Sequence, residues 1–347
     1  MKVAVLYEIN KPLVIEEVTL PPLKYGQVLV KLKTSGLCHK QLEEMTGKRG
    51  HDPFLPHLLG HEGAGIVKDI GPGVSFVNKG DHVVLGWMKG KGINSEPPEY
   101  TNGRNKLNAG WITTFNEYGI YSENRVTSIK KEMPFDVACL LGCAVTTGYG
   151  VVNRIAKMES RKKVAVFGIG GIGLNVVQWA SVRGATHVIA VDLRNDKLEL
   201  ARRIGATHVI NAGNEHAVDA VRTITDGGAD YVFEAAGNIH VMEQAYEATN
   251  GKGLTVLMGV PKKEDKLCID PIPLYLGRRI TGCHGGDTVK DEDIPLAVDL
   301  YLQGKLKLNE LITERIHLSG INEAFQRMKE GKIVGRSIIE FERSSPD

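Results

Sequence analysis

Val164-Ala165-Val166-Phe167-Gly168-Ile169-Gly170-Gly171-Ile172-Gly173 is the stretch that decides how this chain folds. Its apolar opening reads as a short buried strand. The glycines that follow are spaced Gly-x-Gly-Gly-x-Gly. Gly168 permits a tight turn, Gly170 lets the backbone approach a pyrophosphate, and Gly173 lets the next helix pack close to the strand. The run 174–183 has helical periodicity, so the N-terminus of that helix offers N–H groups and a positive dipole end to phosphate. A glycine pattern of this kind is weak on its own. Here a second buried strand, 188–191, follows the helix and is closed by Asp192, 19 residues after Gly173. That full series is the signature of a dinucleotide site. A carboxylate at Asp192 accepts from the adenosine ribose and repels a 2′-phosphate, which favours NAD over NADP; Arg194, two residues on, pulls the other way. The bland alternative, in which Asp192 caps a helix and the glycines only turn, leaves the whole series to coincidence.

Working outward, a second amphipathic helix is expected over 196–204, with further strands at 231–234 and 254–258. Strand, helix, strand, helix is the grammar of a parallel sheet covered on both faces. Before residue 144 the pattern differs. Short apolar stretches at 3–7, 28–32, 65–70 and 82–85 alternate with turns such as Pro21-Pro22 and Gly71-Pro72-Gly73, which reads as β-rich. The end of the chain reads as helices 294–303 and 321–330 and a closing strand 337–341. The predicted fold is α/β, with a Rossmann doubly wound parallel sheet over 146–287 and a β-rich domain over 1–145, completed by 288–347.

The 347 residues suffice for two or three domains, and 42% hydrophobic with 24% charged residues is ordinary for a globular protein. A formal net charge of +2 gives no reason to expect a nucleic acid or an anionic membrane as partner. Cys38, Cys139, Cys143, Cys268 and Cys283 are odd in number and include no Cys-x-x-Cys, so they read as core fillers or ligands in a reducing compartment. The apolar run after Lys2 is too short for a signal peptide, and no run approaches the ~20 residues of a membrane span. A cytoplasmic location is the expectation.

Three segments remain: Ser35-Gly36-Leu37-Cys38-His39, Gly60-His61-Glu62-Gly63-Ala64-Gly65, and Leu141-Gly142-Cys143-Ala144-Val145-Thr146-Thr147-Gly148-Tyr149-Gly150. Taken singly, each cysteine is more often a buried core residue than a ligand. Together, in this order, they resemble the zinc-containing medium-chain alcohol dehydrogenase family. The stretch Gly60 to Gly71 is similar to that family's zinc signature. The resemblance extends through Gly80-Asp81-His82-Val83 and the dinucleotide motif to Ile321-Asn322-Glu323-Ala324-Phe325 and Gly335-Arg336.

The resemblance implies a GroES-like β-rich catalytic domain and one catalytic zinc held by Cys38, His61 and Cys143. Such a donor set leaves a fourth position for substrate. It implies hydride transfer between an alcohol, or its aldehyde or ketone, and NAD(H), with zinc stabilising the alkoxide or polarising the carbonyl. Glu62 is implied beside the metal, as an aid to ligand exchange or as a turn carboxylate. Cofactor contacts are implied at His39, Thr147, Gly168, Gly170, Gly171, Ile172, Gly173, Asp192, Lys197, Val260 and Arg336. Trp87 and Phe115 are candidates for the substrate pocket, and equally for the core. A homodimer is implied as well.

Two departures from the family stand out. Its structural-zinc lobe corresponds to 87–111, which holds no cysteine and no histidine. No structural zinc is therefore expected, and packing or partner contacts must hold that lobe. Beside the metal, the family's hydroxyl and Asp are replaced by Lys40 and Gln41. Gln41 can still accept a hydrogen bond from the His61 imidazole, but without charge, which makes that imidazole a weaker donor to zinc. Lys40 has three readings: a proton relay, a binder of an acidic group on the substrate, or a surface residue paired with Glu43 or Glu44. A zinc-free quinone or enone reductase of the same fold is disfavoured by the three ligands, and a regulatory nucleotide-binding protein remains as the rival of another class.

Overall fold

The structure, a computed structural model, describes residues 1–48 and 50–341. Two compact units are present: Met1–Cys143 with Val289–Gln303 and Ile312–Asp347, and Ala144–Thr288 with Gly304–Leu311.

The second unit is built on a six-stranded parallel sheet in the order His208–Asn211, His187–Asp192, Lys163–Phe167, Ala229–Glu234, Thr249–Leu257, Arg279–Gly282. This is the doubly wound order in which the chain reverses direction at the first strand, the place where such sheets bind nucleotides. Val164–Phe167 is wholly buried, as a continuous apolar run in a two-faced sheet should be. Helix Asn195–Ile204 buries Leu198, Ala201 and Ile204 at helical spacing and ends at Gly205, whose φ of 130° suits glycine. One side of the sheet forms a core of Ala165, Phe167, Ile189, Val191, Ile210 and Val232.

One boundary differs from the sequence reading. Residues 304–311, expected to complete the β-rich domain, belong to the parallel-sheet unit. Leu306, Leu308 and Leu311 are buried there, the Lys307 N–H donates to Gln178, and Lys307 Nζ reaches the Arg203 carbonyl at 2.8 Å. This segment carries no glycine-rich motif or long periodic run, so nothing local announces which core it enters.

The first unit holds two sheets. One runs Val14–Glu17, Lys2–Leu6, His57–Leu58, Lys106–Asn108, Glu99–Thr101. The other runs Val126–Ser128, His82–Gly86, Glu62–Ile70, Gln27–Gly36, Arg336–Glu340, Ile312–Ile316, with Tyr118–Ser122 also paired to Gln27–Gly36. Its register positions the site. Ser35 pairs with Gly63 across the antiparallel neighbours, and Glu62 pairs with Gly86. The end of one strand, the start of the second and the end of the third therefore meet at one edge, where Cys38, His61 and Trp87 follow or precede them directly.

The lobe 87–111 is held without metal ligands. The Glu123 carboxylate, 1% exposed, accepts from the Ile93 N–H at 2.8 Å and, with its other oxygen, from Ser75 and Phe76 at 2.6 and 2.8 Å. Ser122 Oγ donates to the Ile93 carbonyl and accepts from the Ser95 N–H, while Ser95 Oγ donates to the Tyr25 carbonyl. Tyr100 is buried and accepts the Ile120 N–H at 2.9 Å. A buried carboxylate that gathers three backbone donors does the tethering job for which a cysteine cluster would use an ion. Among the described residues no single helix is long and apolar enough to cross a membrane.

Candidate active site

Cys38, His61 and Cys143 all lie in the first unit, and one ligand atom from each falls within 4.8 Å of the others. Cys38 is the N-cap of the short helix His39–Met45. His61 immediately precedes strand Glu62–Ile70, and Cys143 ends the 3-10 turn Cys139–Gly142. Buried His61 Nε2 has no hydrogen-bond partner. A buried ring nitrogen without a partner is costly unless something accepts its lone pair.

The two sulfurs complete the argument. The Cys38 thiol is held well below its ordinary value, first by the hydrogen bond from Cys143 and then, against burial, by charge on His61 and Arg336. The Cys143 thiol is pushed well above it by Cys38 and by burial. The two sulfurs are thus hydrogen-bonded to one another. A divalent cation that displaces the thiol protons would meet two thiolates and an imidazole, the donor set of a zinc site with one position left open.

Glycines explain the local sequence around the ligands. A Cβ at Gly36 would collide with the Glu62 carboxylate, and one at Gly142 would sit 2.9 Å from Glu62 Cα. Glu62 is fully buried between the two cysteine-bearing turns, and its carboxylate is bonded to the Arg336 guanidinium, itself 6% exposed. Glu62 Oε2 and Arg336 Nε have no partner. Arg336, expected to contact the cofactor pyrophosphate, is bonded to a carboxylate through Nη2. Burial forces this pairing, because neither charge is tolerable alone.

Gln41 is buried, as its place beside the metal ligands requires. Its Oε1 accepts the Cys38 N–H at 3.1 Å, and its amide meets His61 Nδ1. It holds the ring at Nδ1 and leaves Nε2 to the side of the sulfurs, but an uncharged amide that turns its nitrogen to Nδ1 does not raise the ring's basicity as a carboxylate acceptor would.

Two expectations are corrected here. Lys40 is not turned toward the sulfurs: its ammonium pairs with Glu44 one helical turn away, and both side chains are about one-third exposed (30% and 31%). The i,i+4 spacing offers that carboxylate closer than any other, and the pairing needs no desolvation. Of the three readings of Lys40, the surface pair is the one adopted. Phe115 is fully buried in a core with Leu6, Leu37, Leu59 and Phe325, its ring 5.9 Å edge-on to Phe325. It lines that core rather than a pocket. Trp87, the other aromatic candidate, lies beside the ligands, where its side chain is hydrogen-bonded to the Cys143 sulfur.

The nucleotide motif lies in the second unit. Gly168 has a φ of 90°, and a Cβ there would lie 2.7 Å from the Ala236 nitrogen. A Cβ at Gly173 would collide with the Gly168 carbonyl, whereas one at Gly170 would meet nothing within 4 Å. The first two are packing requirements; the third is open space above the turn. Gly171 and Ile172 begin helix Gly171–Val182, which has no side-chain cap. Its leading N–H groups are available to an anion. Asp192 accepts from Ile169 at 2.8 Å and from Arg194 at 3.1 Å, with Lys197 Nζ 3.7 Å away. The Arg194 guanidinium is held by Asp196. Thr147 is buried in helix Ala144–Gly150, and Val260, past the end of strand Thr249–Leu257, is 52% exposed. His39 opens the helix after Cys38 and is exposed in the first unit.

Sequence reasoning missed Glu123-Asn124-Arg125. These three polar residues between apolar runs were not singled out, and all are buried, at 1%, 3% and 6% exposed. Nothing local signals this; the partners are tens of residues away.

Residues 24–133 match the family of the alcohol dehydrogenase GroES-like domain, and residues 171–303 that of the zinc-binding dehydrogenase. An alcohol dehydrogenase class-3 from Cereibacter sphaeroides is 36% identical over 98% of this chain and 99% of its own length. An S-(hydroxymethyl)glutathione dehydrogenase from Paracoccus denitrificans is 36% identical over 97% and 99%. Among solved structures, an alcohol dehydrogenase zinc-binding domain protein from Burkholderia ambifaria superposes with a TM-score of 0.92 at 31% identity, covering 99% of each chain. Benzyl alcohol dehydrogenase from Acinetobacter calcoaceticus gives 0.90 at 29%, covering 98% and 99%.

Proposed function

The chain belongs to the zinc-binding alcohol dehydrogenase family, and from that premise we propose that it oxidises an alcohol to its aldehyde or ketone, or runs the reverse, with NAD(H) and one catalytic zinc. The observation that carries this reading is the meeting of the Cys38, Cys143 and His61 ligand atoms around a partnerless Nε2. When bound, the zinc supplies Lewis acidity at the substrate oxygen. The chain's own residues do the rest. Gln41 fixes the His61 ring, Trp87 supports the Cys143 sulfur, and the Glu62–Arg336 pair fills the space between the ligand turns. The Gly168–Gly173 turn and the uncapped helix receive the dinucleotide phosphates. The reading is tested by following NADH formation with zinc-loaded protein over a panel of alcohols; no turnover of any alcohol, and no reduction of the matching carbonyls, contradicts it.

The cofactor choice rests on Asp192. With Arg194 committed to Asp196, the carboxylate is the group that discriminates at the ribose. Replacing Asp192 by Ala is expected to shift the NAD-to-NADP ratio of kcat/KM toward NADP by about tenfold or more. An unchanged ratio contradicts this assignment.

We infer the subunit state from the edge of the parallel sheet. Ile272, Leu274, Tyr275 and Leu276 are exposed immediately before edge strand Arg279–Gly282. An apolar strip beside an unpaired strand favours a second copy of the same chain. Sedimentation is expected to give a dimer, and a monomer at micromolar concentration refutes it.

A further inference from the structure

Arg125 closes the short turn Glu123–Arg125, in the same unit as the metal ligands. Its guanidinium donates through Nη1 to the Trp87 carbonyl, while buried Nε has no partner. Burial alone accounts for the lowering of its pKa; no carboxylate offsets it. The acids nearest in the chain and the fold are committed elsewhere. Glu123 holds three backbone N–H groups. Asp291 takes the Lys91 N–H at 2.5 Å and lies 3.5 Å from Lys290 Nζ. Lys290 is itself 2% exposed and donates to the Val126 carbonyl and Thr127 Oγ1.

A second cation faces the same aromatic ring. Arg125 Cζ is 5.9 Å and Lys89 Nζ 5.8 Å from the centre of the Trp111 ring, and Trp111 is 44% exposed. Buried guanidinium groups are ordinarily paired, because an unpaired one forfeits its hydration without return. The Nε–Nη2 edge is the one that takes a carboxylate in two parallel hydrogen bonds. Trp87 links this cluster to the metal ligands: its carbonyl receives Arg125, and its side chain bonds the Cys143 sulfur.

We propose that Arg125, with Lys89 and the Trp111 ring, forms a carboxylate-binding subsite one residue removed from the metal ligands, so that the substrate is an alcohol or carbonyl compound bearing a carboxylate at its far end. The proposal rests on the dehydrogenase reading of the same site and narrows its substrate class. Guanidinium and ammonium supply the charge, and the indole supplies an apolar wall for the carbon skeleton.

The test compares kcat/KM for 4-(hydroxymethyl)benzoate and 4-methylbenzyl alcohol, which differ chiefly in the anionic group. The wild-type enzyme is expected to favour the acid by about tenfold or more, and Arg125→Leu to reduce that acid-to-neutral ratio by about thirtyfold. Lys89→Ala, at an exposed position, is expected to reduce it about threefold. So that the test does not depend on the folding of Arg125→Leu, inhibition of the wild-type enzyme is read too: benzoate should compete with the neutral alcohol more strongly than benzamide. No preference for the acid, no effect of Lys89→Ala on the ratio, or equal inhibition by benzoate and benzamide overturns the subsite while the dehydrogenase reading stands. If the wider panel of alcohols is turned over but neither of these two is, the subsite is overturned; if no alcohol of the panel is oxidised with NAD or NADP, the dehydrogenase reading fails and the subsite falls with it.

Discussion

Replacing His61 by Ala is expected to empty the metal site and stop turnover, with bound zinc falling to below about a tenth of an ion per chain and kcat/KM falling by more than about 10³-fold. The expectation follows from the donor count. Three protein ligands hold the ion, and two thiolates left in a buried pocket without the imidazole lose both a donor and the group that sets their geometry. His61 is the informative choice among the three. Its ring is bonded to Gln41 through Nδ1 and otherwise faces the Cys38 and Cys143 sulfurs, so its removal acts first on the metal site. Cys143, by contrast, is buried and bonded to Trp87, and its loss would disturb the wall of the site as well. Metal analysis and an NADH assay on the folded variant check the expectation, with circular dichroism to establish that the fold is kept. Retained zinc or retained turnover would place the metal elsewhere.

The second large effect is structural. Glu123→Ala is expected to destabilise the β-rich unit by about 3–5 kcal/mol, since a carboxylate's hydrogen bonds contribute roughly 1.5–3 kcal/mol each and are not additive. Three N–H groups, those of Ser75, Phe76 and Ile93, lose their acceptor at once. At about 2–4 °C per kcal/mol for a unit of this size, the melting temperature should drop by roughly 10 °C. The damage should begin in the lobe 87–111, because Ile93 lies in it and neither cysteine nor histidine is available there to tether it. Hydrogen exchange resolved to peptides is the measurement that separates a local opening from global loss. A drop of less than about 1 kcal/mol would mean that the lobe is held by its apolar contacts instead.

What could be read from the sequence, and what could not, divides by distance along the chain. The strand, glycine turn, helix and acid from Val164 to Asp192 form a continuous motif whose physical demands are local, and the φ of Gly168 and the crowding at Gly173 are those demands met in the fold. The strands and helices named from the sequence were legible for the same reason, with ends displaced by a few residues, whereas short strands such as Val14–Glu17 and Glu99–Thr101 and helices such as Ala217–Thr225 were not singled out. The metal ligands are a different case. Cys38, His61 and Cys143 are far apart in sequence, and only their resemblance to a family, not their spacing, singled them out; the strand register that joins them is visible only in the structure. Lys40 illustrates a further limit. Sequence position put it beside a ligand, but the rotamer is chosen by the nearest carboxylate, Glu44. Phe115 followed the opposite course, with an aromatic expected in a pocket absorbed by the core. The buried turn Glu123–Arg125 was invisible because its partners come from Ser75, Trp87 and Ile93, and a polar triplet between strands looks the same whether it faces water or three distant backbones.

The central claim is a single zinc held by Cys38, His61 and Cys143, in a chain whose former metal lobe is tied by a carboxylate. Quantitative metal analysis of the purified wild-type protein tests it most directly. One zinc per chain, lost on His61→Ala without loss of fold, is the result expected; two zincs per chain, or a fully active protein with none, would contradict it.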